Sequence, residues 1–155
     1  MIPGANDRIR LGLIGVNGRG KGIASGLAKM PECEITYVCD VDSRALEACL
    51  GLIHDITGKT PKGEKDMRKI FDAQDVDGVV IAAPDHWHVP AAVMAMRAGK
   101  HVFCEKPVDH SIAKIQAVAD ALAAHPEVKF QVGFNRRFDH NFAAIRKAYD
   151  DGRIG

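Results

Sequence analysis

Short apolar runs rich in β-branched residues alternate along the chain with longer segments in which apolar residues recur at helical spacing. Five short runs carry few charges and are predicted as strands that helices cover on both faces, at 10–14, 35–39, 78–83, 101–104 and 129–133. A sixth strand, at 60–62, is predicted to be short because Pro61 cannot donate to a ladder. The alternation therefore predicts an α/β fold: a doubly wound, mostly parallel sheet with helices on both faces.

The predicted helices have recognisable starting residues. Ser43 is placed to cap the helix that follows the second strand. Either Asp109 or Ser111 can cap a later helix. The inward stripe of that later helix is predicted from four apolar positions, Ile112, Ile115, Val118 and Leu122. A last helix is predicted over 140–151.

Length and composition limit the class of protein. The 155 residues, 46% hydrophobic and 26% charged, suffice for one well-buried domain, and we predict a single domain over 1–155. The 21 basic and 20 acidic residues nearly cancel, so no bulk charge suggests nucleic acid or an anionic membrane as a partner. No run approaches the roughly 20 apolar residues of a membrane span, and the N-terminus lacks a signal-peptide pattern. A cytoplasmic location is therefore expected.

The cysteines and histidines give no pattern typical of a metal site. Cys33, Cys39, Cys49 and Cys104 include no CxxC pair, so we expect reduced and mostly buried thiols rather than disulfides. The histidines near the strand ends lack matching thiolates or acids at ligand spacing. No metal is predicted.

The first strand runs directly into a glycine-rich turn, GVNGRG, and then into a helical segment. This is where a Rossmann-type βαβ unit binds the pyrophosphate of a dinucleotide. Gly15 permits a tight turn, Gly20 lets the helix approach the strand, and the helix N-terminus supplies N–H donors. We predict that Gly15, Asn17, Gly18, Arg19 and Gly20 contact the cofactor. Asn17 replaces the second glycine of the common GxGxxG pattern, and the alternative is a turn that needs glycine for packing alone.

An acid closes the second predicted strand. Asp40 lies at the position expected for a carboxylate that accepts hydrogen bonds from the adenosine ribose and repels a 2′-phosphate. NAD is therefore predicted in preference to NADP. Arg44 keeps NADP possible, because its guanidinium could hold a phosphate or stack on adenine. The alternative for Arg44 is a solvated helix residue.

Two further strand ends carry polar residues at the edge where open α/β sheets bind ligands. The fourth strand is followed by PDHWH, which contains Pro84, Asp85 and His88. His88 is alternatively a loop or helix-capping histidine. The fifth strand, HVFC, runs directly into EKP at 105–107, and an unpaired charge is costly to bury. These charges either enter a cleft or begin an ordinary surface loop.

Four stretches, GVNGRG, CDVD, VDGVVIAAPDHWHVPAAVMAMRAGKHVFCEKP and QVGFNRRFD, together resemble the N-terminal domain of the Gfo/Idh/MocA oxidoreductases. They cover most of the chain in the family's order, and EKP after GKHV is the most specific of them. The resemblance implies a Rossmann-type NAD(P)-binding domain. It also implies that the family's second, α+β domain, with the Asp and His that complete the catalytic group, is absent from this sequence.

The resemblance also implies roles for individual residues. Lys106 matches the catalytic lysine beside the nicotinamide and the substrate, and Glu105 lies near the nicotinamide ribose. The peptide before Pro107 is expected to be cis. The polar residues 135–137 match a strand end near the nicotinamide or substrate. In the family, the loop after the fourth strand flanks the cofactor. Its residues correspond here to Pro84, Asp85 and His88.

Three functions are compatible with this resemblance. The first is the nucleotide-binding half of an NAD(P)-dependent, inositol dehydrogenase-like enzyme, inactive alone, that transfers hydride between a sugar or cyclitol hydroxyl and nicotinamide. The second is a non-catalytic NAD-binding or assembly module. For either function a homo-oligomer is expected, formed through the surface that a second domain would cover. An NAD-dependent glycosidase is disfavoured, because the resemblance implies that those enzymes lack the lysine of EKP.

Overall fold

The computed structural model describes residues 8–154. Within this range the strands are β1 (Ile9–Ile14), β2 (Cys33–Cys39), β3 (Lys62–Glu64), β4 (Gly78–Ile81), β5 (His101–Cys104) and β6 (Phe130–Val132). The helices are α1 (Arg19–Leu27), α2 (Ser43–Thr57), α3 (Arg68–Asp72), α4 (His88–Arg97), α5 (Ile112–Ala124) and α6 (His140–Asp150). Two short 3-10 turns, Asp85–Trp87 and Asn135–Phe138, follow β4 and β6.

The strands form one parallel sheet in the order β3-β2-β1-β4-β5-β6. This is the strand order of a dinucleotide-binding sheet. The first strands step outward from β1 in one direction and the later strands in the other, so β1 and β4 are neighbours at the switch point. Ligands of such sheets bind in the crevice beyond the carboxyl ends of these strands. The predicted Rossmann-type fold is confirmed.

Alternate side chains of each central strand enter two cores, one on each face of the sheet. Val80 packs with Leu13 and Val38 in the core under α1 and α2. Its neighbours Val79 and Ile81 enter the opposite core, to which α3, α4 and α5 contribute. The uncharged character of the strands follows from this burial on both faces.

Some predicted boundaries were wrong. The short edge strand lies at Lys62–Glu64 rather than 60–62, because pairing with β2 begins only after Pro61. Helix α2 is capped by Asp42 and not by Ser43, which is already helical. The Asp42 carboxylate accepts from the Arg44 amide at 2.9 Å. Ser111 occupies the N-cap position of α5 but makes no side-chain cap bond, and its amide donates to Asp109.

The predicted inward stripe of α5 was also wrong in part. The helix buries Val118 and Ala121, whereas Ile112 is 87% exposed. At 3.6 residues per turn Ile112 lies about 120° around the helix from Val118, outside the part of the helix that the core covers. Helix α6 buries none of its described side chains. Its apolar residues form an exposed stripe with the preceding turn, at Phe138, Phe142, Ile145 and Tyr149.

The thiols are free, as expected, and three of the four are buried. Burial is the main cause that raises the pKa of Cys39 and Cys104 to about 12 and that of Cys49 to about 11. Across residues 8–154, no helix has both the length and the apolarity that a membrane span requires.

Candidate cofactor site

The glycine turn is packed against the backbone that follows β4. Gly15 has φ 80°, and a Cβ there would overlap the backbone nitrogen of Ala83. A Cβ on Gly20 would overlap the carbonyl oxygen of Gly15. Gly18 also has a positive φ, 46°, but faces open space. The turn therefore needs glycine both for its conformation and for the close approach of α1 to β1.

Asn17 supports the turn through its side chain. Its Oδ1 accepts from the Gly18 amide at 2.9 Å, and its carbonyl accepts from the Gly20 amide at 3.1 Å. No non-glycine residue among those described has a positive φ, so Asn17 does not need the left-handed conformation that glycine permits. Gly18 adopts that conformation in its place.

Asp40 lies beside the glycine turn at the end of β2. One carboxylate oxygen accepts from the Val16 amide at 2.8 Å, and the other accepts from the Asp42 amide at 3.0 Å. These bonds fix the orientation of the carboxylate. A carboxylate offers about four acceptor positions, so Asp40 retains capacity for two hydroxyl donors.

Arg44 is paired within its own helix turn. Its guanidinium lies 3.2 Å from the Asp42 carboxylate, and its side chain is 91% exposed. The side-chain hydrogen bond between them lowers the pKa of Asp42 and raises the pKa of Arg44. The charge of Arg44 is thus partly compensated by Asp42.

A cleft of about 320 Å³ opens at the switch point between the glycine turn and the ends of β4 and β5. It brings together predicted residues from four separate segments of the sequence. Its lining residues are Arg19, Ala82, Ala83, Asp85, His88, Glu105, Lys106 and Asn135. Asp85 also pairs across the mouth with His110, whose Nε2 lies 3.2 Å from the Asp85 carboxylate.

An ion pair crosses this cleft. The Arg19 Nε and Nη2 atoms lie 2.8 and 2.7 Å from Oε1 of Glu105, whose side chain is only 7% exposed. Gly133 makes room for this carboxylate, because a Cβ there would lie 3.1 Å from Oε1. Arg19 and Glu105 were predicted as separate cofactor contacts, and the structure pairs them with each other.

Lys106 projects from the same loop and has an exposed side chain. No described residue pairs with its ammonium. The Lys106–Pro107 peptide is cis, as the resemblance implied. His88 is 2% exposed and contacts carbonyl oxygens of both loops that border the cleft. Sequence reasoning did not foresee the roles of Gly133 and His110, which become visible only when β6 and the loop after β5 are placed beside β4.

Comparison with known proteins agrees with this geometry. Residues 9–134 match the family model described as an oxidoreductase family with an NAD-binding Rossmann fold. The chain belongs to the Gfo/Idh/MocA oxidoreductase family. It is 37% identical to the inositol 2-dehydrogenase of Rhizobium meliloti (strain 1021), over 95% of this chain and 42% of that protein.

Other members of the Gfo/Idh/MocA family show similar partial coverage. A glycosyl hydrolase family 109 protein of Saccharopolyspora erythraea is 35% identical over 97% of this chain and 34% of its own length. The scyllo-inositol dehydrogenase of Lactobacillus casei, solved with bound NAD(H) and scyllo-inositol, superposes with a TM-score of 0.85 at 29% identity. That superposition covers 96% of this chain and 43% of the dehydrogenase. The chain thus spans less than half the length of these relatives.

We predict that Gly20→Ala destabilises the chain by roughly 1–3 kcal/mol, because the added Cβ overlaps backbone that cannot move independently. Gly22→Ala is the matched control on the same helix, where the added Cβ meets open space and alanine favours the helix. Urea unfolding of both variants measures the difference. Equal free energies of unfolding would contradict the tight packing of the turn.

Proposed function

We propose that residues 1–155 form one dinucleotide-binding domain that binds NAD, as the nucleotide-binding half of an inositol dehydrogenase-like oxidoreductase. The full enzyme would transfer hydride between the carbinol carbon of a sugar or cyclitol and the nicotinamide ring. The observation that carries this proposal is the cleft at the switch point, where the glycine turn, a buried acid and an unpaired lysine meet. The related inositol dehydrogenases support the substrate class.

The adenosine half of the cofactor is assigned to the β1 and β2 ends. Asp40 would accept hydrogen bonds from the adenosine ribose hydroxyls, and the turn amides with the N-terminus of α1 would bind the pyrophosphate. The residues proposed to contact this half are Gly15, Asn17, Gly18, Arg19, Gly20 and Asp40. Arg44 would lie beside the adenine, with Asp42 limiting its attraction for a 2′-phosphate.

The nicotinamide half is assigned to the β4 and β5 ends, with Pro84, Asp85, His88 and Glu105 around it. NAD supplies the hydride acceptor when it is bound. Lys106 would donate a hydrogen bond to the substrate hydroxyl oxygen, orienting its carbon toward the cofactor. As hydride leaves that carbon, the hydroxyl proton must leave too, and Lys106 would orient the oxygen or relay that proton. Because the Glu105 carboxylate is paired with Arg19, it does not pair with Lys106. The Lys106 ammonium has no partner among the described residues and is available for this role.

Two alternative functions use the same NAD site. A non-catalytic NAD-binding module would bind the cofactor in the same cleft without turnover. An NAD-dependent glycosidase is supported by the relatives named glycosyl hydrolase family 109 proteins. The presence of Lys106 disfavours it, because the resemblance implies that those enzymes lack this lysine. Turnover by a longer protein separates them: NADH accumulates with a polyol in the dehydrogenase, and a glycoside is cleaved without net NADH in the glycosidase. We also propose that the protein is cytoplasmic.

We predict that this chain binds NAD at least about tenfold more tightly than NADP, measured by calorimetric titration with each cofactor. Asp40→Asn removes the charged acceptor for the ribose hydroxyls, so NAD affinity should fall by about tenfold or more. It also removes the charge that repels a 2′-phosphate, so the preference for NAD over NADP should narrow. Asp55→Asn removes an equal charge from an exposed position on α2 and serves as the control. Equal losses for both cofactors would refute the role of Asp40.

We predict that Lys106→Ala abolishes dehydrogenase activity in a longer protein that contains both this domain and a substrate-binding domain. The affinity for NAD should change little. Lys114→Ala, an exposed lysine outside the cleft, is the control. Steady-state kinetics and cofactor titration are measured on the same samples. Unchanged turnover in Lys106→Ala would remove this lysine from the mechanism.

We propose that the exposed stripe of α6 makes the chain self-associate, because contiguous apolar surface favours association in water. The sedimentation mass should then rise with concentration, and Phe142→Ser with Ile145→Ser should return it to that of a monomer. A monomer mass at every concentration would contradict the expected homo-oligomer.

A further inference from the structure

His88 is the most deeply buried polar residue beside the cleft, with 2% of its surface exposed. Its Nδ1 lies 2.6 Å from the carbonyl oxygen of Pro107, and its Nε2 lies 2.8 Å from that of Ala83. Both neighbours are carbonyl oxygens, so the ring nitrogen that carries the N–H donates to the carbonyl beside it, and the tautomer decides which of the two it is. One imidazole therefore lies between the loop after β4 and the loop after β5.

The imidazole is attached to a well-packed element. His88 is the first residue of α4, and this helix fully buries Ala91, Ala92, Ala95 and Met96 against the sheet. The backbone of a residue at the start of such a helix is therefore held in place. The position of the ring is therefore set by the core and not by the loops that it contacts.

The loop after β5 makes one of its contacts with the rest of the chain through His88. Among the described residues, the His88–Pro107 bond is the single hydrogen bond made by residues 106–108. Before this segment, the Glu105 amide donates to Ile81 at 2.9 Å, and after it the Ser111 amide donates to Asp109. Between those two points, Val108 packs against the core and His110 contacts Asp85 at 3.2 Å, while His88 makes the hydrogen-bond contact that lies next to Lys106.

The loop after β4 contributes the other wall. The carbonyl oxygen of Ala83 lies 2.8 Å from Nε2 of the ring, and the backbone of Ala83 also abuts Gly15 of the glycine turn. His88 therefore contacts both loops at the β4 and β5 ends of the cleft, whereas the Asp40 carboxylate at the β2 end is held by the Val16 and Asp42 amides. The two halves of the cofactor would depend on different contacts.

We propose that His88 is a positioning residue that fixes the two loops around the nicotinamide half of the cofactor and so directs Lys106 into the cleft. This inference rests on the proposed NAD site. It differs from a direct ligand role, because both ring nitrogens are engaged by the protein's own carbonyl groups.

The test compares NAD with ADP-ribose, which lacks the nicotinamide ring, by calorimetric titration of the 155-residue chain. His88→Phe keeps an aromatic ring without donors and should weaken NAD by about tenfold while leaving ADP-ribose within about twofold. His88→Gln keeps an amide donor and should lose less; it gives the same comparison if the Phe variant does not fold. Val89→Ala, a buried neighbour on α4, should leave the ratio of the two affinities unchanged. Equal losses of both ligands in the His88 variants, or no loss of NAD, would overturn the proposal.

A second readout needs no ligand. Amide order parameters of Lys106 and Val108 from ¹⁵N relaxation should be near about 0.85 in the unsubstituted chain and in Val89→Ala, and fall below about 0.6 in the His88 variants. Unchanged order parameters would overturn the positioning role. If the unsubstituted chain bound neither NAD nor ADP-ribose, the proposed function would fail, and the order parameters would still decide the role of His88.

Discussion

One close contact between two backbone segments determines where the cleft of this protein lies. The glycine turn after β1 lies directly against the chain that leaves β4, at a separation that excludes a Cβ on Gly15 or Gly20. Because of that contact, the N-terminus of α1 reaches the central crevice of the sheet. The partial positive charge of this helix end is then available where two strand ends diverge. The location of the cleft follows from this packing constraint.

The charges around the cleft are arranged in relation to that contact. Arg19 begins α1 and reaches across to Glu105, so one cation and one buried anion satisfy each other between the two walls. Burying Glu105 without Arg19 would leave an uncompensated charge. Lys106, the next residue, is left without a partner among the described residues. The cleft thus contains one paired guanidinium and one ammonium that has no partner among the described residues.

The fold and most of the residues that line the candidate cleft could be predicted from the sequence, because they depend on local patterns. Apolar runs of strand length, the GVNGRG turn and the acid at Asp40 each act within a few residues. The Arg19–Glu105 pair, the space at Gly133 and the two carbonyl contacts of His88 could not, since they join segments that only the sheet order brings together. The stripe of α5 was misjudged because spacing alone does not tell which face a neighbouring helix covers.

The central claim is that one cleft binds both halves of NAD. A titration of the ¹⁵N-labelled chain with NAD, followed by amide chemical shifts, tests it most directly. The account predicts saturable changes both at Gly18 and Gly20 in the turn and at Glu105 and Lys106 across the cleft. Changes confined to the turn, or no changes in a folded chain, would contradict it.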